Sequence, residues 1–461
     1  MSDPAAWPQA VADLGALLRT PAATWTIVGL GVAVFATLLR ELPRIPKPLL
    51  VLMAAAFLDM FGVFLVVPLL PFYCRRLGAD VHLFGTTLGA GTVTGLVMAT
   101  FTVAQLLSAP LWGRFSDRRG RRPALLVALF ASACAYVVFG FADALWLLLL
   151  SRFVQGAGGG TVGVIQAYVA DSVGPGERAR ALGWLSAATN LGVALGPVLG
   201  SVTLALGSVD LWPGAAELQL GPAAPGLCAA ALCLANMAFA ARWLPESRPT
   251  APPRPPQRLG PALRSLLAAP QAPAARLLLT YGLAIGAGQG INAVLAHLLD
   301  GNFGIGEHEI GVVFTYIGAI SVLARVLVLG PLVDRFGEVR LSRLGTVALA
   351  AGLAGLPLAT GLASLMTSVA LLPIGIALLF PCVSALLSKV VPAADRGMYL
   401  GLQQSFGSAA RMTAPLVFGA LFDGAGHAVP FLVAGGCVLA TLPLLVRLPV
   451  AAAERRAANV G

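Results

Sequence analysis

Apolar runs long enough to cross a bilayer succeed one another along this chain, parted by short polar connections. A spanning helix needs about 20 apolar residues. On that scale spans are predicted near 49–73, 88–112, 123–142, 144–170, 180–207 and 222–244. A second set of six follows near 276–299, 309–331, 342–360, 366–390, 398–422 and 428–449. Between the sets, residues 245–275 hold nine prolines and several arginines. No lipid-embedded helix tolerates that density of missing N–H groups, so the segment is predicted as a solvated cytoplasmic linker. Ahead of the core lies an N-terminal extension, residues 1–48, whose uncharged run 22–39 is itself long enough to span. It is predicted as an extra membrane helix with the N-terminus outside; an interfacial or targeting segment is the alternative, although no small-residue cleavage site is evident.

The two sets of spans repeat each other. At an offset of 217 residues, Gly113, Asp117, Arg118 and Gly120 fall on Gly330, Asp334, Arg335 and Gly337. At 218, Val173, Arg178, Leu182, Gly183 and Pro197 fall on Val391, Arg396, Leu400, Gly401 and Pro415. The expected architecture is an all-α polytopic membrane protein built of two pseudo-symmetric six-helix bundles, 49–244 and 276–449, with a cytoplasmic tail at 450–461. Same-orientation halves of this kind imply a pseudo-two-fold axis along the membrane normal, and in transporters they rock about a site near the midplane.

Composition narrows the class further. Of 461 residues, 58% are hydrophobic and only 11% charged, against about 25% charged in a soluble domain. That excludes an ordinary soluble enzyme, a nucleic-acid binder and a disordered scaffold. The net charge of +10 is a topology signal. With the start of the first core span inside, 24 of the 30 basic residues fall on inner segments, and the outer segments hold only Arg75 and Arg76. Both ends of the core are therefore expected in the cytoplasm, in a plasma or inner membrane. The six cysteines are scattered without ligand spacing, and no nucleophile, metal or phosphate-binding motif is present. The chain is not expected to be an enzyme or to carry a cofactor or metal.

Between spans two and three the chain reads Gly113-Arg-Phe-Ser-Asp117-Arg118-Arg-Gly120-Arg121-Arg-Pro123. Its glycines allow a tight turn between long helices, and Pro123 suits the first turn of the next. Asp117 can accept hydrogen bonds from a neighbouring helix N-terminus, while the arginines relay charge or anchor lipid headgroups. A second copy begins at Gly330, which makes a merely basic loop an insufficient reading. In span five, Gly192, Gly196 and Gly200 share one face, where another backbone can approach closely, and Pro197 removes a backbone bond.

On these residues the sequence resembles the major facilitator superfamily over about 49–449. GRFSDRRGRRP looks like its inner-loop signature, Leu150-Ser-Arg152-Phe-Val-Gln155-Gly156 its fourth-helix motif, and Gly192 to Gly200 its antiporter motif, with Ser201 in place of a final glycine. Leu58-Asp59-Met-Phe-Gly62 with Val67-Pro68-Leu-Leu-Pro71 resembles the first helix of drug/proton antiporters, the tetracycline-efflux branch included. The resemblance implies the major facilitator fold, a cavity lined by span four beside span one, and export coupled to protons.

Four charges lie inside the predicted core spans: Asp59, Arg152, Arg325 and Arg411. An ionised group at the bilayer centre costs at least about 2.5–3.5 kcal/mol, so such residues face a cavity or a partner. Asp59 lies roughly 15 Å into its helix. Burial favours its neutral form and a nearby guanidinium its charged form, the condition for gaining and losing a proton. Arg152, which cannot release its own proton, is the expected modulator. Gln155, Gln289, Asn292, Gln404 and Arg411 are candidate substrate contacts. Arg325 lies close enough to Gly330 to snorkel toward the cytoplasm. Gating is expected to involve Gly113, Asp117, Arg118, Gly120, Arg121, Asp334 and Arg335, with Asp117 latching against the start of span eleven, together with Gly192, Gly196, Pro197 and Gly200. One carboxylate against three arginines leaves the membrane interior net cationic, which leans toward anionic or zwitterionic substrates.

The function expected is secondary active transport by alternating access, as proton-coupled antiport exporting a small organic compound or drug. The partners are that substrate, protons and membrane lipids, with no nucleic acid, and the chain is expected to act as a monomer. A metabolite importer or facilitator is the alternative within transport, and a non-transporting membrane protein on a carrier fold the alternative outside it.

Overall fold

A computed structural model describes residues 45, 47–78, 82–83, 86–159, 164–165, 168–169, 178–207, 223–246, 269–307, 309–392 and 395–446. The expected helix at 22–39, most of the linker and the tail at 450–461 lie outside the described residues. The architecture is all-helical apart from one two-residue ladder among the described residues.

Helix α1 (Lys47–Val66) tightens into a 3₁₀ turn at Val67–Leu69 and continues as α2 (Leu70–Gly78). Pro68 explains the change, since it has no N–H to give to the preceding turn. The ladder pairs β1 (His82–Leu83) with β2 (Thr86–Thr87). Helices α3 (Ala90–Arg119), α4 (Arg121–Gly140), α5 (Leu145–Gly158), α6 (Arg178–Gly207) and α7 (Ala224–Trp243) follow. After the linker come α8 (Pro273–Phe303) and α9 (Ile310–Leu323), which passes through a π-helical turn at Ala324–Val328 into α10 (Leu329–Phe336). The chain closes with α11 (Glu338–Gly355), α12 (Leu362–Val390), α13 (Arg396–Ala425), α14 (Val429–Leu439) and α15 (Leu442–Val446).

Every predicted core span thus has a helical counterpart. By length and composition, seven of the described helical stretches can cross a membrane: Leu49–Leu77, Ala90–Arg119, Arg121–Gly140, Ala224–Trp243, Pro273–Phe303, Leu362–Val390 and Val429–Val446. They correspond to spans one, two, three, six, seven, ten and twelve.

The two copies of the inner-loop motif turn in the same way. Gly120, between α3 and α4, has φ 108°, and Gly337, between α10 and α11, has φ 75°. Both lie in the left-handed region that a side chain disfavours. At Gly120 a Cβ would also come 2.5 Å from the Glu246 carboxylate.

The chain forms two compact units. The first holds Met1–Gly78, Thr100–Pro253 and Leu299–Thr315; the second holds Ala79–Ala99, Arg254–Leu298 and Tyr316–Gly461. In the first, α1 lies along α6 and α7, and α4 along α5 and α7. Its core gathers Leu49, Leu52, Leu125, Leu129, Ile165, Tyr168 and Leu244. The seam between α1 and α6 is unusually close. A Cβ on Gly196 would sit 2.8 Å from the Phe61 carbonyl oxygen, and Cβ atoms on Gly192 and Gly200 would run into the Phe57 and Leu65 carbonyls. Three glycines one turn apart therefore set three turns of α1 backbone against α6.

In the second unit α11 packs on α12 and α14. The first turn of α3 also belongs to this unit, because it packs on α13: a Cβ on Gly91 would lie 2.9 Å from the Gly419 carbonyl oxygen. Asp423 of α13 reinforces the contact, accepting hydrogen bonds from the Gly91 N–H (3.1 Å), the Thr92 N–H (2.7 Å) and the Thr92 hydroxyl (2.6 Å). These donors are the ones a helix N-terminus leaves without intrahelical partners. Asp423 is a cap supplied from another helix.

Candidate functional site

A polar cluster lies inside the first unit, where apolar packing would otherwise be continuous. Asp59 of α1 is 8% exposed and Arg152 of α5 only 2%. Tyr136 of α4, Gln155 of α5 and Asn236 of α7 are buried with them. The Gln155 amide donates to the Tyr136 hydroxyl. The guanidinium carbon of Arg152 stands 4.8 Å from the Phe139 ring centroid and 5.8 Å from that of Tyr136. A Cβ on Gly62, on α1 close after Asp59, would lie 3.9 Å from the Tyr136 hydroxyl. Tyr136 thus faces α1 near Asp59 with its hydroxyl and Arg152 with its ring.

The cluster is incompletely satisfied among the described residues. Arg152 Nε and Nη2, Gln155 Oε1 and Asn236 Oδ1 are buried without a hydrogen-bond partner there. Asn236 does donate to the Ala55 carbonyl at 2.9 Å, one turn before Asp59. Aromatic faces partly compensate the guanidinium through the ring quadrupole, but they cannot take its N–H groups. Buried donors and acceptors left in this state are costly, and these four lie on α5 and α7 of the first unit.

The sequence singled out Asp59, Arg152 and Gln155, and all three are buried in the first unit. Gln155, expected as a substrate contact, is buried and engaged with Tyr136. Tyr136 and Asn236 were missed. Each is an uncharged polar residue in an apolar run, a faint signal that sharpens only when its neighbours on other helices are known.

The second unit holds the remaining candidates. Gln289 and Asn292 on α8 are half-buried, Gln404 on α13 is exposed and Arg411 half-buried. α8 approaches α13 through Gly286, where a Cβ would touch Ala410 and Ala414 at 3.5 and 3.6 Å. Near the end of α8, His297 is buried, and its Nε2 lies 3.0 Å from the Thr94 hydroxyl. That hydroxyl is 2.8 Å from the Ala90 carbonyl, the natural acceptor of its proton.

Arg325 sits in the π-helical turn of Ala324–Val328. A π turn inserts one residue into the helix and re-aims the side chains around it; nothing in the sequence announced it.

At the expected inner ends, Asp117 accepts from Arg121 Nη1 at 2.6 Å, and Arg121 also reaches the Ser116 hydroxyl at 2.9 Å. The N-terminus of α4 is capped by Glu246, which takes the Arg121 N–H at 2.8 Å. Glu246 was not foreseen. Arg118 is exposed, as are Asp334 and Arg335 of the second copy. Gly113 and Gly330 are also exposed, and a Cβ on either would meet nothing within 4 Å. Pro197 is buried on α6 between Gly196 and Gly200. At the opposite ends, still within the first unit, Arg75 pairs with Asp300 and Arg76 with Glu307, the latter at 3.0 Å.

The sequence model of the Major Facilitator Superfamily matches residues 52–288 and 277–460, nearly the whole described core. The chain belongs to the Major Facilitator Superfamily. It is a multi-pass membrane protein and a secondary transporter, in a family that consists of transporters, not enzymes. Among curated relatives, the class C tetracycline resistance protein of Escherichia coli is 29% identical over 404 residues, spanning 87% of this chain and 96% of that one. Multidrug resistance protein 2 of Bacillus subtilis (strain 168) is 24% identical over 398 residues, spanning 86% and 93%. Among solved structures, the human organic anion transporter MFSD10 (TETRAN) superposes with a TM-score of 0.63 at 25% identity, covering 87% of this chain and all of that one.

Proposed function

We propose that this superfamily member is a proton-coupled antiporter that exports a small, partly apolar organic compound by alternating access. Its working halves would be residues 49–244 and 276–449, joined by the linker at 245–275. The observation that carries the reading is the buried cluster of Asp59, Tyr136, Arg152 and Gln155. Relatives named for tetracycline and multidrug resistance support the export direction.

The chemistry follows from which charge can change. Arg152 keeps its proton throughout, because a guanidinium is not deprotonated in proteins. Asp59 is the member that titrates. With Asp59 ionised the cluster is formally neutral; once it takes a proton the cluster carries a net positive charge in a low-dielectric interior. That charge is costly there, so protonation raises the energy of the arrangement holding it and favours one that returns the proton to water. The glycine seam gives this charge a mechanical outlet. Asp59 lies between Phe57 and Phe61, whose backbone packs on Gly192 and Gly196. A shift of α1 at Asp59 is therefore transmitted to α6, while Pro197 and Gly200 complete the close-packed strip.

Tyr136 holds the Gln155 amide and shares its ring face with Arg152, which positions the guanidinium. Gln155 thus acts in the proton cluster, and substrate contact is left to Gln289, Asn292, Gln404 and Arg411. The inner-loop motifs, Asp117 with Arg121 and Asp334 with Arg335, would govern the inner ends as the halves move.

The test uses inverted membrane vesicles with an imposed pH gradient and a panel containing tetracycline, ethidium and an aromatic carboxylate. Gradient-dependent accumulation of at least one compound, abolished by Asp59→Asn, is the expected result. Accumulation that survives collapse of the gradient, or is unaffected by Asp59→Asn, contradicts the proposal.

A further inference from the structure

Two arginines lie deep in helices of this chain and take part in none of the ion pairs found among the described residues, and their surroundings differ in kind. Arg152 is sealed inside the first unit with its guanidinium against two rings. Arg411 stands near the midpoint of α13 in the second unit and is only half-buried. Among the described residues its one hydrogen bond is a long one, from Nη2 to the Ser408 hydroxyl at 3.3 Å. The ion pairs found among the described residues do not include it. A guanidinium offers five N–H donors in a planar fork, so most of its capacity is unused.

The wall beside this cation is aromatic. The guanidinium lies over Gly407: a Cβ there would come 3.5 Å from Arg411 Nη2 and 3.0 Å from the ring of Tyr281. Tyr281 of α8 meets Phe380 of α12 edge to face, with centroids 5.3 Å apart. Glycine at 407 thus lets the guanidinium and the Tyr281 ring approach the same stretch of α13 backbone. Three helices bring together an under-used cation and two rings. A charge within a membrane helix without a counter-charge is unfavourable, and no ion pair among the described residues relieves it.

We propose that Arg411 selects the substrate by its charge, and that the substrate class is small aromatic organic anions. The guanidinium takes the carboxylate through two parallel N–H bonds, the geometry in which arginine discriminates most strongly. Tyr281 and Phe380 receive the ring. This inference rests on the transporter reading and adds to it the chemical class of the cargo. It also separates the two arginines: Arg152 belongs to the proton and Arg411 to the substrate.

The experiment is equilibrium binding to the purified full-length protein in nanodiscs of phosphatidylcholine, which offer no anionic lipid to neutralise Arg411. The probes are naphthoate and its neutral amide, naphthamide. Wild type is expected to bind the carboxylate about tenfold or more tighter than the amide, the usual scale of a charge-assisted pair. Arg411→Gln should erase that preference by weakening the carboxylate alone, and Arg411→Lys, which keeps the charge but loses the fork, should fall between. Equal binding of the two probes by wild type, binding of neither, or a preference that survives in Arg411→Gln or is undiminished in Arg411→Lys overturns the inference. No gradient is applied, so failure of proton coupling and failure of charge selection are seen separately.

Discussion

Tyr136 joins the two sides of the buried cluster, since its hydroxyl accepts from Gln155 and its ring lies beneath Arg152. Tyr136→Phe keeps the ring and removes the acceptor, leaving the Gln155 amide buried without it. A thermal-unfolding measurement should report a loss of about 1–3 kcal/mol, the cost of stranding a buried donor. Unchanged stability would mean that the amide finds another partner. The charged members of the cluster were legible from the sequence alone, because an ionisable residue in a run of apolar ones is conspicuous. Tyr136 and Asn236 were not, since hydroxyls and amides occur throughout such runs. Glu246 and Asp423 escaped notice for the opposite reason. They stand near helix ends, where acids are ordinary, and only the fold shows which N–H groups they cap.

At the scale of elements, the repeated inner-loop motif and the span-five glycines were read from spacing, and the fold gives each a concrete role. Gly120 and Gly337 supply matching left-handed turns, and Gly192, Gly196 and Gly200 press α6 onto α1. The roles of the motif's other glycines are different. Gly196→Val should destabilise the protein by about 1–3 kcal/mol, because an added side chain must displace the α1 backbone. Gly113→Ala, with open space around it, should leave the melting temperature unchanged; if both variants melt alike, the seam is not the close contact described. The 3₁₀ turn at Pro68 follows from proline, whereas the π turn around Arg325 has no sequence signature. Asp423 gives a second measurable element. Asp423→Ala removes the cross-helix cap from the first turn of α3 and should cost about 1 kcal/mol, as loss of an N-cap does. Amide exchange at Gly91 and Thr92 should rise with it; protection that stays at the wild-type level would show that the cap is dispensable.

For the whole molecule, the apolar runs and the internal repeat carried the class, since a bilayer imposes both length and composition on every span. They left the outer boundaries of the compact units unread. The start of α3 belongs with α13 through Asp423, and the end of α8 belongs with α2 through Arg75 and Asp300. Those assignments depend on side chains far apart in sequence. Charge movement is the property that joins both proposals at this scale. Import of one proton against export of one monoanion transfers two positive charges inward, so an inside-negative potential should accelerate transport of an aromatic carboxylate. A rate independent of potential would exclude that stoichiometry.

The most direct test of the central claim is proton movement itself. Purified protein reconstituted into proteoliposomes, with a pH-sensitive dye in the lumen, is given an outward gradient of a compound that the vesicle assay shows to be transported. The account predicts substrate-dependent acidification of the lumen, protons entering as the substrate leaves, and no such change in Asp59→Asn. Substrate flux with no accompanying pH change in the wild type, or an undiminished change in Asp59→Asn, would contradict it.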